Sequence, residues 1–368
     1  MKSRSSALYG VLGTLYCVFS VPSFAASPEV LGGHEGWLDR MGAGVRELGR
    51  GNTGTALEGA SPAAYWNPAL LPFIRKTEGA LGADVRSQDR NGGFVSLQGR
   101  VASNLGLGGG VINRGDLNVQ AYDKDENDIG FARPQAFATY FGVGMRTSRR
   151  NALGASLLVY TSQLDLGGGT GKVNFVGGIN LGWYRRYDSL NAANLFPESW
   201  TSTRAVADFF SGSFSSAVVV RNLGLNPRLS AEFDQSVSDG QPDPFGGFGG
   251  GTSSDFFPKT LVIAGEWRKN LWDRNFTLSG EFMDYQLKPQ IFTPNPAFHA
   301  QAARVGVECE LAERTYLRAG MDRLNPTIGL GYGYRVNRRR VITFDYALTM
   351  ERGIMTFNPY AFGIKTEF

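Results

Sequence analysis

The sequence predicts an all-β protein, a transmembrane antiparallel β-barrel of about fourteen strands. Three observations lead there. The 368 residues hold 49 glycines and 12% aromatics against only 19% charged residues. That balance suits repeated short strands and turns, because glycine inside a helix costs about 1 kcal/mol against alanine. From Lys76 onward apolar residues recur at every second position between clusters of turn residues, which is the period of a strand. Beyond the first ~25 residues no apolar run reaches the roughly 18 that a membrane helix needs. A membrane crossing would therefore be made by strands, the other arrangement that satisfies its backbone in lipid.

In chain order, residues 1–25 have the layout of a signal peptide. Lys2 and Arg4 give a positive start, Ala7 to Val21 an apolar run, and Ser23-Phe24-Ala25 a small-x-small cleavage site. A retained membrane anchor is the alternative, but the run is short and broken by Gly10 and Gly13. Bulky Tyr16 before Cys17 argues against lipoprotein processing at that cysteine. Without Lys2 and Arg4 the formal charge falls from +4 to +2, which gives no pull toward nucleic acid. Cys309 is then the one cysteine left, so no internal disulfide is expected. It falls on the apolar side of its strand pattern, where a cysteine serves as a small hydrophobe. His34 and His299 are the only histidines, too few to suggest a zinc cluster or a histidine-based triad. No cofactor, metal or enzymatic activity is expected.

Residues 26–75 do not alternate. Met41 to Ala60 is rich in glycine and small residues, and Ser61 to Leu71 (SPAAYWNPALL) packs aromatics around two prolines. Glycine permits close backbone approach, Pro68 fixes an extended turn, and Trp66 can pin that turn by packing. Three runs stand out: Gly42-Ala43-Gly44-Val45-Arg46, Leu48-Gly49-Arg50-Gly51 and Tyr65-Trp66-Asn67-Pro68-Ala69. Together they resemble the N-terminal segment of the FadL-type outer-membrane transporters, most closely its PorV branch. The chain departs at Leu70, where that family usually has glycine, and at Arg50, where methionine or a similar residue is common. The resemblance implies a hatch over 26–75, folded into the periplasmic end of a barrel over 76–368. Trp66, Asn67 and Pro68 would anchor it. An ordinary packed N-terminal loop is the alternative.

The barrel strands are expected near 76–87, 92–101, 105–114, 134–147, 152–166, 173–186, 203–221, 257–269, 274–287, 300–311, 314–322, 326–336, 340–350 and 356–368. Gly212 could divide the seventh. Alternate links are short, as at Ala102–Asn104, Ser148–Asn151 and Asn270–Asp273, while 115–133, 222–256 and 288–299 are long. Short periplasmic turns and long outer loops are the habit of outer-membrane barrels. The stretch 187–202 breaks the rule, being long on the short side.

The two faces differ in chemistry. One carries Leu261, Ile263, Trp267, Phe282, Val305, Leu330 and Tyr332. The other carries Glu266, Glu281, Arg304, Glu308, Arg318, Arg335, Asp345 and Lys365, expected to face the lumen and cross-pair. In a soluble two-sheet core the apolar face would lie inside and these charges would be solvated. The final strand, Tyr360 to Phe368 (YAFGIKTEF), alternates in the same way and would close the barrel on 76–87. Phe368 resembles the terminal aromatic by which the barrel assembly machinery recognises such proteins.

Several motifs are set aside. Asp123 to Gly130 starts like a calcium loop but has Asp128 where the sixth-position glycine belongs. The glycine runs at 106–110 and 167–171 lack the helix and Lys-Ser/Thr pair of a phosphate cradle. The loop 242–258 sets Phe245, Phe248, Phe256 and Phe257 among glycines, suited to contact with lipid, ligand or a partner protein, or to folding over the barrel mouth. The expected setting is the outer membrane and its lipid. The resemblance implies passive passage of small hydrophobic solutes. Its PorV branch implies instead a part in type IX secretion, with secreted protein as cargo acting through the outer loops. A soluble extracellular β-protein is the third reading.

Overall fold

A computed structural model describes residues 42–86, 90–116, 119–122, 128–165, 170–187, 212–223, 230–233, 259–271, 273–287, 298–337, 340–350 and 359–367. The barrel strands are β1 (Glu78–Arg86), β2 (Arg90–Arg100), β3 (Leu105–Asp116), β5 (Asp128–Arg146), β6 (Asn151–Asp165), β7 (Thr170–Tyr187) and β8 (Ser213–Leu223). They continue as β10 (Lys259–Leu271), β11 (Arg274–Leu287), β12 (Phe298–Ala312), β13 (Thr315–Asp322), β14 (Asn325–Arg335), β15 (Val341–Thr349) and β16 (Pro359–Glu367). Two four-residue strands, β4 (Val119–Tyr122) and β9 (Ser230–Phe233), prolong hairpins on β5 and β7. Each barrel strand pairs antiparallel with the next, β3 passes to β5 and β8 to β10, and β1 meets β16. The result is a closed ring of fourteen strands. Closure leaves no edge exposed to lipid.

The expected strands and the observed ones coincide to within a few residues, with two differences. β5 begins at Asp128, earlier than the expected 134, because its start pairs with β4 in a hairpin. Pro134 sits inside it, opposite Leu164. The seventh expected strand, 203–221, is β8 at Ser213–Leu223; its earlier part lies outside the described residues, as do 188–202. β1 and β16 close the ring in the register Glu78 with Glu367 through Val85 with Tyr360. Phe368 lies outside the described residues.

Alternation sorts the side chains as lipid requires. Leu97, Phe141, Leu153, Leu181, Ile263, Leu330, Tyr332 and Phe362 stand exposed on the outer face, Leu330 by 52%. In water such a continuous apolar wall would be a liability; in hydrocarbon it is the preferred surface. Cys309 stands on this wall between the apolar side chains of Val307 and Leu311, as a small hydrophobe. Among the described residues no helix is long and apolar enough to cross a membrane.

Candidate functional site

The lumen is filled by residues 42–74, which form no strand. The chain makes a short helix α1 (Val45–Gly49), wanders through turns, makes α2 (Ala63–Trp66), and ends in a 3-10 turn over Pro68–Phe73. The Tyr-Trp-Asn-Pro run holds this hatch together. Trp66 is fully buried and donates its indole N–H to the Ala43 carbonyl at 2.9 Å, tying the end of α2 to the start of the segment. Asn67 caps the 3-10 turn by accepting from the Ala69 N–H at 3.0 Å. Its amide also donates to the carbonyls of Thr55 at 3.1 Å and Trp183 at 3.3 Å, joining the hatch to β7. Pro68 opens the 3-10 turn, where its missing N–H costs nothing. Tyr65 stacks edge-on against Tyr140 of β5, ring centres 6.2 Å apart.

On the β10–β16 side the hatch is held by charge. Arg50 reaches Glu266 at 3.0 Å, both side chains fully out of solvent. Arg46 forms a two-pronged pair with Glu308 at 2.6 and 2.9 Å. Arg318 joins that carboxylate to Asp345, 2.6 Å on either side. Glu281 accepts the backbone N–H groups of Gly54 and Thr55 at 2.8 and 2.7 Å. Arg304 pairs with Asp322, which also accepts from Asn52, and lies over the Trp66 ring at 6.0 Å. Lys365 reaches Glu78 at 3.1 Å and the Gly59 carbonyl at 3.4 Å. A buried charge is tolerable when paired and hydrogen-bonded, and breaking one partner then costs several kcal/mol. Arg335 differs: it keeps the inward register but stands exposed at the end of β14.

Two pairs of glycines seat the hatch backbone. Gly306 and Gly320 face each other across β12 and β13, and a side chain on either would strike the Arg50–Gly51 backbone. Gly51 itself has φ 73°, a conformation that favours glycine. On the opposite wall Gly144 and Gly154 are partners on β5 and β6, and a side chain there would strike the Pro68 carbonyl. The lumen can therefore admit a main chain, with no side chain between.

A third feature was not read from the sequence. On β2, β3, β5, β6 and β11 five inward positions are large and apolar, Phe94, Ile112, Tyr140, Leu158 and Met283, all buried, while Arg114 of β3 stands beyond Ile112 toward the long-loop end in a buried pair with Asp84 of β1 at 2.6 Å. The five lie next to outward apolar residues such as Val95, Val111 and Leu157, so both faces look alike in sequence. The lumen is thus uneven: charges crowd β12–β16, whereas β2–β6 carry large apolar side chains beside the buried ion pair of Arg114 with Asp84.

Between α1 and the wall of β12, β13, β15, β16 and β1 lies a polar cavity of about 160 Å³, bordered by Arg46, Glu47, Glu308, Asp345 and Lys365. Burial pushes the Glu47 carboxyl up to about 7, against the opposing Arg46 charge and the Ser61 N–H that it accepts; Asp345 adds to the rise. Burial alone would lower the Arg46 guanidinium, but Glu308 outweighs it and holds it above its ordinary value. No group of acids, cysteines and histidines that could hold a metal occurs among the described residues. Phe245, Phe248, Phe256 and Phe257 lie outside the described residues.

Neither a protein-family model nor a curated protein sequence matches the chain. Solved structures do. The toluene transporter TbuX of Ralstonia pickettii superposes with a TM-score of 0.51 at 15% identity, over 89% of this chain and 98% of its own. The toluene transporter TodX of P. putida gives 0.51 at 11% identity, over 89% and 99%. At such identities the likeness is one of fold, and the fold matches the FadL-like outer-membrane barrels.

Proposed function

We propose that the chain is an outer-membrane channel for small hydrophobic solutes, held closed in this state by its hatch. The observation that carries the reading is the apolar lumen lining of Phe94, Ile112, Tyr140, Leu158 and Met283 beside the seated Trp66. An apolar solute against these side chains leaves water at about 25 cal/mol per Å² buried. Solute enters at the loop end, follows these side chains, and leaves when the hatch shifts away from its charged seat. The fold shared with two toluene transporters makes a monoaromatic hydrocarbon the first solute to try. The exposed apolar wall suits outer-membrane lipid as surroundings, with the N-terminal segment removed as a signal peptide. Uptake of radiolabelled toluene by cells with and without the protein tests the reading. Faster uptake with the protein supports it; equal rates refute it. The alternative of a type IX secretion component rests on the PorV-like run at Tyr65-Trp66-Asn67-Pro68-Ala69 and would act through loop aromatics outside the described residues; no described feature favours it.

A further inference from the structure

We propose that the short-turn mouth of the lumen carries a binding site for a phosphate monoester, formed by Arg75 at the end of the hatch with Arg100 and Arg146 of the wall. The inference rests on the barrel and its seated hatch and is independent of the solute.

The three arginines come from separate segments but share one corner of the mouth. Arg100 keeps the inward register of Phe94 on β2, and Arg146 that of Tyr140 on β5. Arg100 pairs with Gly106, Gly106 pairs with Gly144, and Arg146 stands two residues beyond Gly144 toward the turn. Glycine is the inward residue of β3 between them, so no side chain parts the two arginines. A side chain on Gly106 would strike Leu71 and Pro72, so the 3-10 turn of the hatch runs directly over this wall. Phe73 follows, buried, and the chain then exposes Arg75 on its way to β1. The Arg146 guanidinium lies over the Phe73 ring at 4.5 Å, and that ring meets Tyr184 of β7 at 4.9 Å. A stacked guanidinium is held flat, with its N–H groups directed around its rim toward a two-pronged acceptor.

Charge at this corner is unbalanced. Arg75, Arg100 and Arg186 all repel the Arg146 charge, and Glu58 opposes them. That carboxylate is already engaged by the Tyr184 hydroxyl at 2.7 Å, by Arg186 at 3.4 Å and by Arg268 at 3.5 Å. Among the described residues Arg75, Arg100 and Arg146 meet no carboxylate, and the Arg146 Nε is buried without a hydrogen-bond partner. Across the mouth, Arg335 excepted, inward cations have their acids. Lys76 meets Glu367 at 3.4 Å, Lys365 meets Glu78, and Arg46 and Arg318 share Glu308. Neighbouring cations raise each other's energy until an anion lies among them. A carboxylate brings a single charge. A phosphate monoester brings about two charges and three terminal oxygens, one for each guanidinium. The site opens to the lumen mouth and not to the lipid wall, which favours a soluble ester over a lipid headgroup. An anion held there ties Arg75 to the wall and keeps the end of the hatch seated.

The test measures binding of labelled glycerol 3-phosphate to the full-length chain in an uncharged detergent, with acetate and phosphatidylglycerol as competitors. Saturable binding is expected, with both competitors weaker than the unlabelled ester. A hydrogen bond to a charged group is worth about a factor of ten or more, so Arg146→Gln should weaken binding about 10-fold. Arg100→Gln added to it should bring the loss to about 100-fold. Arg335→Gln, which removes an exposed cation from β14, should leave binding unchanged. An equal loss in Arg335→Gln would show diffuse charge alone and overturn the proposal. Absence of saturable binding overturns it too, as does acetate or phosphatidylglycerol competing as well as the ester. Should the arginine variants fail to form a barrel, hydrogen exchange of the wild type decides. The Ile74 N–H, bound to the Leu71 carbonyl at 3.2 Å, should exchange about 10-fold more slowly with ester at about ten times its Kd. Unchanged exchange overturns the proposal.

Discussion

Removing the Glu281 carboxylate loosens the hatch at one defined point. Its Oε1 accepts the N–H groups of Gly54 and Thr55 at 2.8 and 2.7 Å, deep in the lumen. A hydrogen bond to a charged group contributes about 1.5–3 kcal/mol, so Glu281→Ala, which loses two, forfeits about 3–6 kcal/mol. Water entering the vacated space returns part of that, leaving a net loss of about 3 kcal/mol. At 1.36 kcal/mol per factor of ten, amide exchange at Gly54 and Thr55 should quicken about 100-fold. Glu281→Gln keeps an acceptor without the charge and should quicken it only about 10-fold. Hydrogen exchange of the hatch peptides, read by mass spectrometry on barrels that still migrate as folded, measures both. The graded order alanine, glutamine, wild type is expected. Unchanged exchange in Glu281→Ala would refute the idea that wall charges hold the hatch.

Trp66→Ala should empty the fully buried indole site and destabilise the hatch by about 3–5 kcal/mol while the ring of strands stays closed; limited proteolysis of the hatch against gel migration of the barrel separates the two. Gly306→Ala should force the Arg50 carbonyl off β12 at about 1–3 kcal/mol, and raise uptake of a small dye. Glu47 gives a pH signature. Its carboxyl is held near 7 in the seated hatch against an ordinary 4.5, so the seated state binds the proton more tightly. Seating is thus strongest below about 4.5 and weakens by about 3 kcal/mol as pH rises through 7, a slope that Glu47→Gln should abolish in hatch exchange rates. Deleting Phe368 should lower the yield of assembled barrel in the outer membrane fraction; undiminished yield would remove its role as an assembly signal.

The strands were legible because lipid imposes one rule on every outward residue, and water in the turns imposes another. Leu261, Ile263, Phe282, Leu330 and Phe344 obey the first, and the turns at 101–104 and 147–150 obey the second. The charged side of the site was legible for the same reason: Glu266, Glu281, Glu308 and Lys365 alternate cleanly with apolar neighbours. What they bind was not. Whether Glu308 meets another strand or Arg46 of the hatch, 262 residues away, is a fact of topology that spacing does not contain. The seats at Gly306 with Gly320 and Gly144 with Gly154 need register as well, since a single glycine in a strand has many causes. The apolar lining was hidden because Phe94-Val95, Val111-Ile112 and Leu157-Leu158 put apolar residues on both faces and erase the alternation. Such two-sided apolar stretches in mid-strand are the signal that could have found it.

Solute is expected to pass where the hatch now sits. Thr53 Oγ1 and Ser279 Oγ lie 2.8 Å apart, one on the hatch and one on β11, so cysteines at both positions can bridge. In a Cys309→Ser background, Thr53→Cys with Ser279→Cys locks the hatch when oxidised and frees it when reduced. Labelled toluene uptake should fall to the level of cells without the protein on oxidation and return with reductant. Equal uptake by the locked and the released forms would contradict the account.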